Sequence, residues 1–167
     1  MHARTATVGD ARAIARVYND GIEDRVATFE TMPRSPEDVV GWFDGVHPIV
    51  VVEEDGQTIA FASTSTYRPR ECYKGVAEFS VYVARNHRRR GAGRIAMNAL
   101  ITAAKDAGIW KLVSRVFPEN TGSLQLLRSL GFRDVGTYKD HGQLDGVWRD
   151  VVIVELLLLD DRSRGTA

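Results

Sequence analysis

Two overlapping strand-helix-strand patterns limit the folds open to this chain. A β-prone segment at 76–84 is followed by a helical pattern that ends at Gly108, and then by a second β-prone segment at 111–117. A further helix is predicted at 120–130, ahead of a strand at 132–138. Because such units need crossover helices, we predict an α/β fold of the α+β kind, a mixed sheet with helices on both faces.

The remaining segments complete the order of elements. Asp55-Gly56 lies between two β-prone runs and indicates a hairpin, and Ser35 followed by Asp38 indicates a helix N-cap. The order is β-α-α-β-β-β-α-β-α-β-β, and we expect residues 1–160 to form one domain and 161–167 a disordered tail. The other predicted elements are strands at 4–8, 49–53, 58–65 and 148–158, a helix after Gly9-Asp10, and a helix from Ser35 that ends near Gly45.

Charge and cysteine content narrow the class of partner. Lys plus Arg equal Asp plus Glu at 22 each, so no net field favours nucleic acid or a membrane surface, and a small molecule is expected. Cys72 is the single cysteine and no zinc-ligand spacing is present, so neither a disulfide nor a metal is expected. No signal-peptide run begins the sequence, and Glu155 interrupts the apolar stretch at 151–159. These observations favour a cytoplasmic protein.

The loop at 85–93, RNHRRRGAG, joins a predicted strand to a predicted helix. Its two glycines let the backbone turn tightly, and the free N–H groups of the helix's first turn attract an anion. A plain turn with a solvated basic run is the alternative. The candidate anion-binding residues are Arg88, Arg89, Arg90, Gly91, Ala92, Gly93 and Arg94.

The common nucleotide motifs do not fit this loop. A Walker loop requires Gly-Lys followed by Ser or Thr, and a dinucleotide fingerprint requires three glycines early in the chain. Coenzyme A, whose pyrophosphate can bind while its adenosine lies outside the fold, is the candidate that remains.

Two motifs resemble those of the GNAT acetyltransferases. Arg88, Gly91 and Gly93 match the family's acetyl-CoA loop, Gln/Arg-x-x-Gly-x-Gly/Ala. The segment 120–132, NTGSLQLLRSLGF, matches a second signature in its Asn, Ser and Leu-Gly-Phe positions. The resemblance implies the GNAT fold, acetyl-CoA as cosubstrate, and a V-shaped splay beside the 76–84 strand. The residues that it places on the cofactor's pantetheine arm are Val81, Tyr82, Val83, Asn120 and Ser123.

Over nearly its whole length the chain is similar to the phosphinothricin and arsinothricin N-acetyltransferases. The segments that carry the likeness are 18–33, 66–83 and 142–151. This resemblance implies acetylation of the α-amine of a glutamate-like toxin, which confers antibiotic resistance, and it implies a homodimer. Phosphinate, arsinate, sulfone and sulfoximine side chains all stay open, because Leu144-Asp145 stands where these enzymes can have Lys-His.

Glu78 is the predicted catalytic residue, since it falls on the family's general base and amide formation needs an acceptor for the amine's proton. Its apolar neighbours Phe79, Val81 and Val83 favour a desolvated carboxylate. A glutamate on the solvent face of a strand is the alternative. Leu127 stands where many relatives carry an acid for the departing thiolate, so water or another group must serve.

The predicted acceptor residues come from three segments. Arg70 is expected to bind an acidic group of the substrate, and Tyr73, Phe29 and Trp148 to wall the pocket, although each aromatic fits the core or a dimer interface equally well. His141 is a solvated loop histidine or a neighbour of the site. Two other functions stay open: acetylation of a protein N-terminus, and a catalytically silent acetyl-CoA sensor.

Overall fold

One mixed sheet of seven strands carries helices on both of its faces. The computed structural model describes residues 1–159. The elements are β1 (His2–Thr5), α1 (Ala11–Asp24), α2 (Pro36–Val40), β2 (Ile49–Glu54), β3 (Gln57–Thr66), β4 (Val76–Val83), α3 (Ala92–Asp106), β5 (Lys111–Val116), α4 (Thr121–Ser129), β6 (Arg133–Leu144) and β7 (Val147–Leu157). The strand order is β1-β2-β3-β4-β5-β7-β6, and β4 and β5 are parallel while the other neighbours are antiparallel.

Side-chain alternation along the strands divides the core into two layers. On β3, Ala60 and Ala62 point to the face covered by α3 and α4, whereas Phe61 points to the face covered by α1 and α2. Leu100 of α3 and Ile14 of α1 are both fully buried, one in each layer. Each layer therefore stabilises the sheet by removing apolar surface from water.

The predicted order of elements is confirmed, with shifts at some ends. The strand predicted at 4–8 lies at His2–Thr5 instead, because the Asp10 carboxylate accepts the Thr7 N–H at 2.8 Å and turns the chain. The helix that begins after Ser35 has the expected capping box, but it ends at Val40 rather than near Gly45. Strand β7 lies between β5 and β6, so the second crossover spans two strand positions.

Two predictions about the chain as a whole stay predictions. The single domain of residues 1–160 is consistent with a sheet that runs from His2 to Leu157. The predicted tail at 161–167 lies outside the described residues. Within residues 1–159, no helix is both long enough and apolar enough to cross a membrane.

Helix α1 approaches β4 closely at Gly21. A Cβ atom added there would lie 2.6 Å from Cε1 of Tyr82. The Tyr82 ring is itself enclosed, with its centroid 4.8 Å from that of Tyr18 and 5.5 Å from that of Phe61. Gly21 is therefore a packing glycine that sets the distance between α1 and the sheet.

We expect Gly21→Ala to lower the free energy of unfolding by about 1–3 kcal/mol, because the Tyr82 ring must shift from its packing on Tyr18 and Phe61 to admit the added methyl group. Gly122→Ala is the matched control in α4, where a Cβ meets nothing within 4 Å. It should be neutral or stabilising by up to about 1 kcal/mol. Urea unfolding of both variants measures the difference, and equal stabilities would contradict the packing role.

Candidate active site

The strands β4 and β5 pair over only three residue positions and then separate. Their ladder runs from Val76 opposite Lys111 to Glu78 opposite Val113, although β4 continues to Val83. Just beyond the last pair, the Ser114 hydroxyl donates to the Phe79 carbonyl at 2.9 Å. The backbone edge of β4 past this bond is not paired with β5. The gap between the two strands contains a cavity of about 50 Å³. The residues that line it are Ala27, Phe79, Ser80, Val81, Tyr82, Ser114, Arg115, Val116, Asn120, Ser123 and Leu127.

The first turn of α3 meets the end of β4 with its backbone N–H groups uncapped. The N-cap residue, Gly91, has no side chain with which to cap this turn, and it lies in the left-handed region with φ of 90°. Arg89 also has a positive φ, 62°. Because the first N–H groups of a helix have no partner within the helix, this end of α3 can bind an anion.

The arginines of this loop are largely engaged with carboxylates of the protein. Arg88 forms an ion pair with Asp24 of α1 and donates from Nε to the Val83 carbonyl at 3.1 Å. Arg90 pairs with Glu54 at 3.0 Å. These two side chains therefore hold the loop by contacts within the protein, and their predicted part in anion binding stays a prediction. Among residues 1–159, Arg89 has no ion-pair partner, and Arg94 donates to the Ser129 hydroxyl.

Two carboxylates at the end of α1 hold the beginning of the loop. Asp24 also accepts from Arg85 at 2.9 Å, and Asp20 accepts the backbone N–H of Arg85 at 2.8 Å. Burial alone would raise the pKa of Asp24, but hydrogen bonds from Arg88 and Arg85 hold that pKa below its usual value. The loop at 85–91 is thus tied to α1, the helix that covers the opposite face of the sheet.

Gly93 serves helix packing. It is buried, and a Cβ there would lie 3.1 Å from Leu126 of α4 and 3.5 Å from Val83. The sequence predicts Gly93 as an anion-binding residue, a role that its backbone N–H leaves open. Because the Cβ position faces α4, a larger side chain would act first by pushing α4 away from α3.

Asn120 and Ser123 lie where the second motif predicts them, at the wall of the splay. Asn120 caps α4, since its side-chain oxygen accepts the Ser123 N–H at 3.3 Å. Leu127 lies one turn further along the same helix and is 1% exposed. The wall thus offers polar groups near the start of α4 and an apolar surface, without a proton donor, at Leu127.

Glu78 lies at the last pair of the β4–β5 ladder, on the face opposite Phe79. Its carboxylate accepts from Arg115 of β5 at 2.8 Å. The expected desolvation by Phe79 and its apolar neighbours is wrong, because odd-numbered side chains of this strand segment point to the α3 layer. Sequence reasoning missed Arg115, whose signal is a charged residue near the end of β5, next to Val116.

A cleft of about 420 Å³ opens on the same face as Glu78. The Ser65 position pairs with Glu78 across the strands, and Ser63 pairs with Ser80. Sequence reasoning also missed this cleft, since its walls come from four separate segments. The lining residues are Tyr18, Gly41, Trp42, Asp44, Phe61, Ser63, Thr64, Ser65, Thr66, Ser80 and Tyr82.

Tyr82 joins the cleft to the splay because it borders both cavities. Its ring lies in the α1 layer, so only its backbone lies along the open edge of β4. Burial, with a smaller contribution from nearby Tyr18, raises the pKa of the Tyr82 phenol above its ordinary value. Tyr82 is therefore neutral at physiological pH.

None of the four residues predicted to contact the acceptor, Arg70, Tyr73, Phe29 and Trp148, lines this cleft. Arg70 lies in the loop between β3 and β4, with its guanidinium 5.9 Å from the centre of the Tyr73 ring. Phe29 packs instead against Phe117, at 4.8 Å between centroids, and against Gly142. Its predicted pocket role is not supported by this position, which is a small core beneath the β6–β7 hairpin.

Two further residues that were predicted near the pocket, Trp148 and His141, lie at the surface. Trp148 is 57% exposed on β7. His141 stacks on Tyr138 with 4.7 Å between ring centroids. Within residues 1–159, no group of three or more His, Cys, Asp or Glu side chains is arranged to hold a metal ion.

A splayed parallel strand pair that faces a helix N-terminus is the arrangement of an acyl-coenzyme A binding fold, and the comparisons with known proteins agree. Residues 15–132 match the model of the acetyltransferase (GNAT) family, so the chain belongs to that family.

Individual relatives are similar over nearly the whole chain. The L-methionine sulfoximine/L-methionine sulfone acetyltransferase of Pseudomonas paraeruginosa is 33% identical, and the match covers 96% of each chain. A phosphinothricin acetyltransferase of Sinorhizobium meliloti, solved in complex with acetyl-CoA, is 28% identical with a TM-score of 0.85, covering 93% of this chain and 86% of that one. A ribosomal-protein-alanine N-acetyltransferase of Brucella melitensis is 32% identical with a TM-score of 0.89, covering 94% and 99%.

Removing the charge of Asp24 should loosen the loop at 85–91, because Arg85 and Arg88 would lose their shared carboxylate. We expect Asp24→Asn to raise amide hydrogen exchange across residues 84–91, with little change elsewhere in the sheet. Glu23→Gln is the matched control, since Glu23 is 63% exposed and contacts only Arg85 of this pair. Equal protection in the two variants would show that the ion pairs do not order the loop.

Proposed function

We propose that this protein transfers the acetyl group of acetyl-CoA to the α-amino group of a small amino acid. The single observation that carries the proposal is the splay of β4 from β5, which leads from the uncapped start of α3 to the carboxylate of Glu78. The names of the sulfoximine and phosphinothricin relatives support the amino-acid acceptor.

The residues at the splay fit the chemistry of acetyl-CoA. Its pyrophosphate would be held by the backbone N–H groups of Ala92, Gly93 and Arg94, with the Arg89 side chain nearby. Its pantetheine arm would lie along the open edge of β4, at Val81 to Val83. Asn120 and Ser123 would contact the arm from the other wall. When bound, the cofactor supplies a thioester carbonyl for attack by the amine.

Glu78 is the proposed general base of the reaction. The ammonium of an amino acid must lose a proton before it can attack, and Glu78 lies on the cleft face beside Ser65 and Ser80. Arg115 holds the Glu78 carboxylate in place by a charge-assisted hydrogen bond. Glu78 accepts one proton of the ammonium, directly or through a water, and the neutral amine then attacks the carbonyl. As the nitrogen–carbon bond forms and the carbon–sulfur bond breaks, the nitrogen loses its second proton to water. The proton for the thiolate comes from water or another group, since Leu127 has none to give.

The acceptor's identity is the finer part of the proposal. Toxin analogues of glutamate, with phosphinate, arsinate, sulfone or sulfoximine side chains, fit a role in resistance by detoxification. Acetylation of a protein N-terminus is the second candidate, and the name of the Brucella melitensis structure favours it. Arg70, in the loop between β3 and β4, favours an acceptor with a free carboxylate.

A homodimer and a cytoplasmic location complete the proposal. Exposed apolar side chains on the β6–β7 hairpin, Tyr138, Val147 and Trp148, provide a surface that a second copy could cover. The even charge balance and single cysteine suit a reducing compartment.

Replacing Glu78 with Gln tests the mechanism. The amide keeps an oxygen for Arg115 but cannot accept the amine's proton, so turnover at neutral pH should fall about a hundredfold while acetyl-CoA binding stays unchanged. Higher pH should restore part of the rate, because more of the amine is then neutral. The measurement is a pH–rate profile of thiol release, with calorimetry for the cofactor. Exposed Glu37→Gln is the control, and a wild-type profile for Glu78→Gln would remove Glu78 from the mechanism.

Arg70→Ala should raise KM for the amino acid about ten- to a hundredfold, because a charge-assisted contact contributes about 1.5–3 kcal/mol. Acetyl-CoA affinity should not change. Arg12→Ala, an exposed arginine on α1, controls for the loss of positive charge. An unchanged KM in Arg70→Ala would show that the substrate carboxylate is bound elsewhere.

A further inference from the structure

The 420 Å³ cleft has a size typical of small-molecule sites, and its chemistry changes along its length. At one end, Ser65 and Ser80 lie next to Glu78 in the strand register. At the other end lie four aromatic rings that pack on one another, with centroid distances of 4.8 to 6.4 Å. These rings belong to Tyr18, Trp42, Phe61 and Tyr82.

Charge is distributed unevenly around this cleft. Asp44 is the single charged residue among those that line it, as far as residues 1–159 show. Burial would raise the pKa of Asp44, but hydrogen bonds from His47 and from the Val46 N–H lower it to about 2. The carboxylate is therefore negative at physiological pH. Arg115 lies outside the lining, paired with Glu78.

We infer that this cleft takes the side chain of the acceptor amino acid and selects large uncharged side chains over anionic ones. The inference rests on the proposed function, and it deepens that function by naming the substrate class. With the α-amine beside Glu78, the side chain extends past the hydroxyls of Ser63 and Ser80 toward the aromatic end. The rings favour an apolar or aromatic group, and the serine hydroxyls can donate to a neutral oxygen such as that of a sulfone.

Asp44 disfavours acceptor amino acids whose side chains are anionic. A phosphinate or carboxylate in the cleft would lie in the field of Asp44 without a cation among the lining residues to offset it. The Asp44 side chain is 44% exposed, so solvent weakens this repulsion. A preference of about tenfold is therefore expected rather than complete exclusion.

The test measures kcat/KM by thiol release from acetyl-CoA with two groups of L-amino acids. The neutral group is phenylalanine, methionine and methionine sulfone, and the anionic group is glutamate and phosphinothricin. In wild type the neutral group should exceed the anionic group by about tenfold or more. Asp44→Asn keeps the one oxygen that accepts both N–H groups, those of Val46 and His47, and it should raise the anionic values about three- to tenfold.

Two further variants make the outcome decisive. Trp42→Ala should lower kcat/KM for phenylalanine about tenfold and leave acetyl-CoA affinity unchanged. If Asp44→Asn melts at a much lower temperature than wild type, the result with Trp42→Ala tests the role of the cleft in its place. Asp106→Asn, an exposed aspartate at the end of α3, is the control that should change nothing. A wild-type preference for phosphinothricin that neither Asp44→Asn nor Trp42→Ala alters would overturn the inference and leave the proposed function intact. Thiol release with none of the five acids, despite acetyl-CoA binding, would contradict the proposed function itself.

Discussion

The early end of the β4–β5 ladder is the constraint on which the rest of the site depends. Backbone N–H and C=O groups in a buried sheet are normally paired. The unpaired edge of β4 therefore needs a local interaction that ends the ladder and a ligand that can bind the free groups. The local interaction is the hydrogen bond from the Ser114 hydroxyl to the Phe79 carbonyl, because it occupies the first β4 carbonyl beyond the last strand pair. The residues proposed to bind the cofactor, Val81 to Val83 and the start of α3, lie along the opening that follows this bond. Glu78 lies where the opening begins.

Alternate side chains of β4 point to opposite faces of the sheet, and the two sets have different roles. Side chains at 77 and 79 stabilise the α3 layer, whereas those at 78, 80 and 82 form the floor that faces the cleft and α1. The same strand therefore anchors the core and carries Glu78, the proposed general base, without a long loop to position it. Because Gly21 sets the approach of α1 to Tyr82, the shape of the cleft is coupled to the packing of the core.

Much of the architecture could be predicted because its signals are local. Asp55 and Gly56 have the positive φ values that a two-residue hairpin requires, 51° and 75°, and Ser35 caps α2 with Asp38 as its partner. The errors concern partners far apart in sequence. The ion pair of Arg88 with Asp24 joins residues 64 positions apart. Similarly, nothing near Phe29 in the sequence indicates that Phe117 and Gly142 surround it.

The aromatic end of the cleft also gives this protein an internal optical reporter. Tryptophan emission depends on the polarity around the indole, and the chain has three tryptophans in different surroundings. Trp110 packs on Gly75, where an added Cβ would clash with its ring, and Trp148 is mostly exposed. Trp42 alone of the three lines the cleft. Changes in its emission would therefore follow occupancy of the cleft without any attached dye.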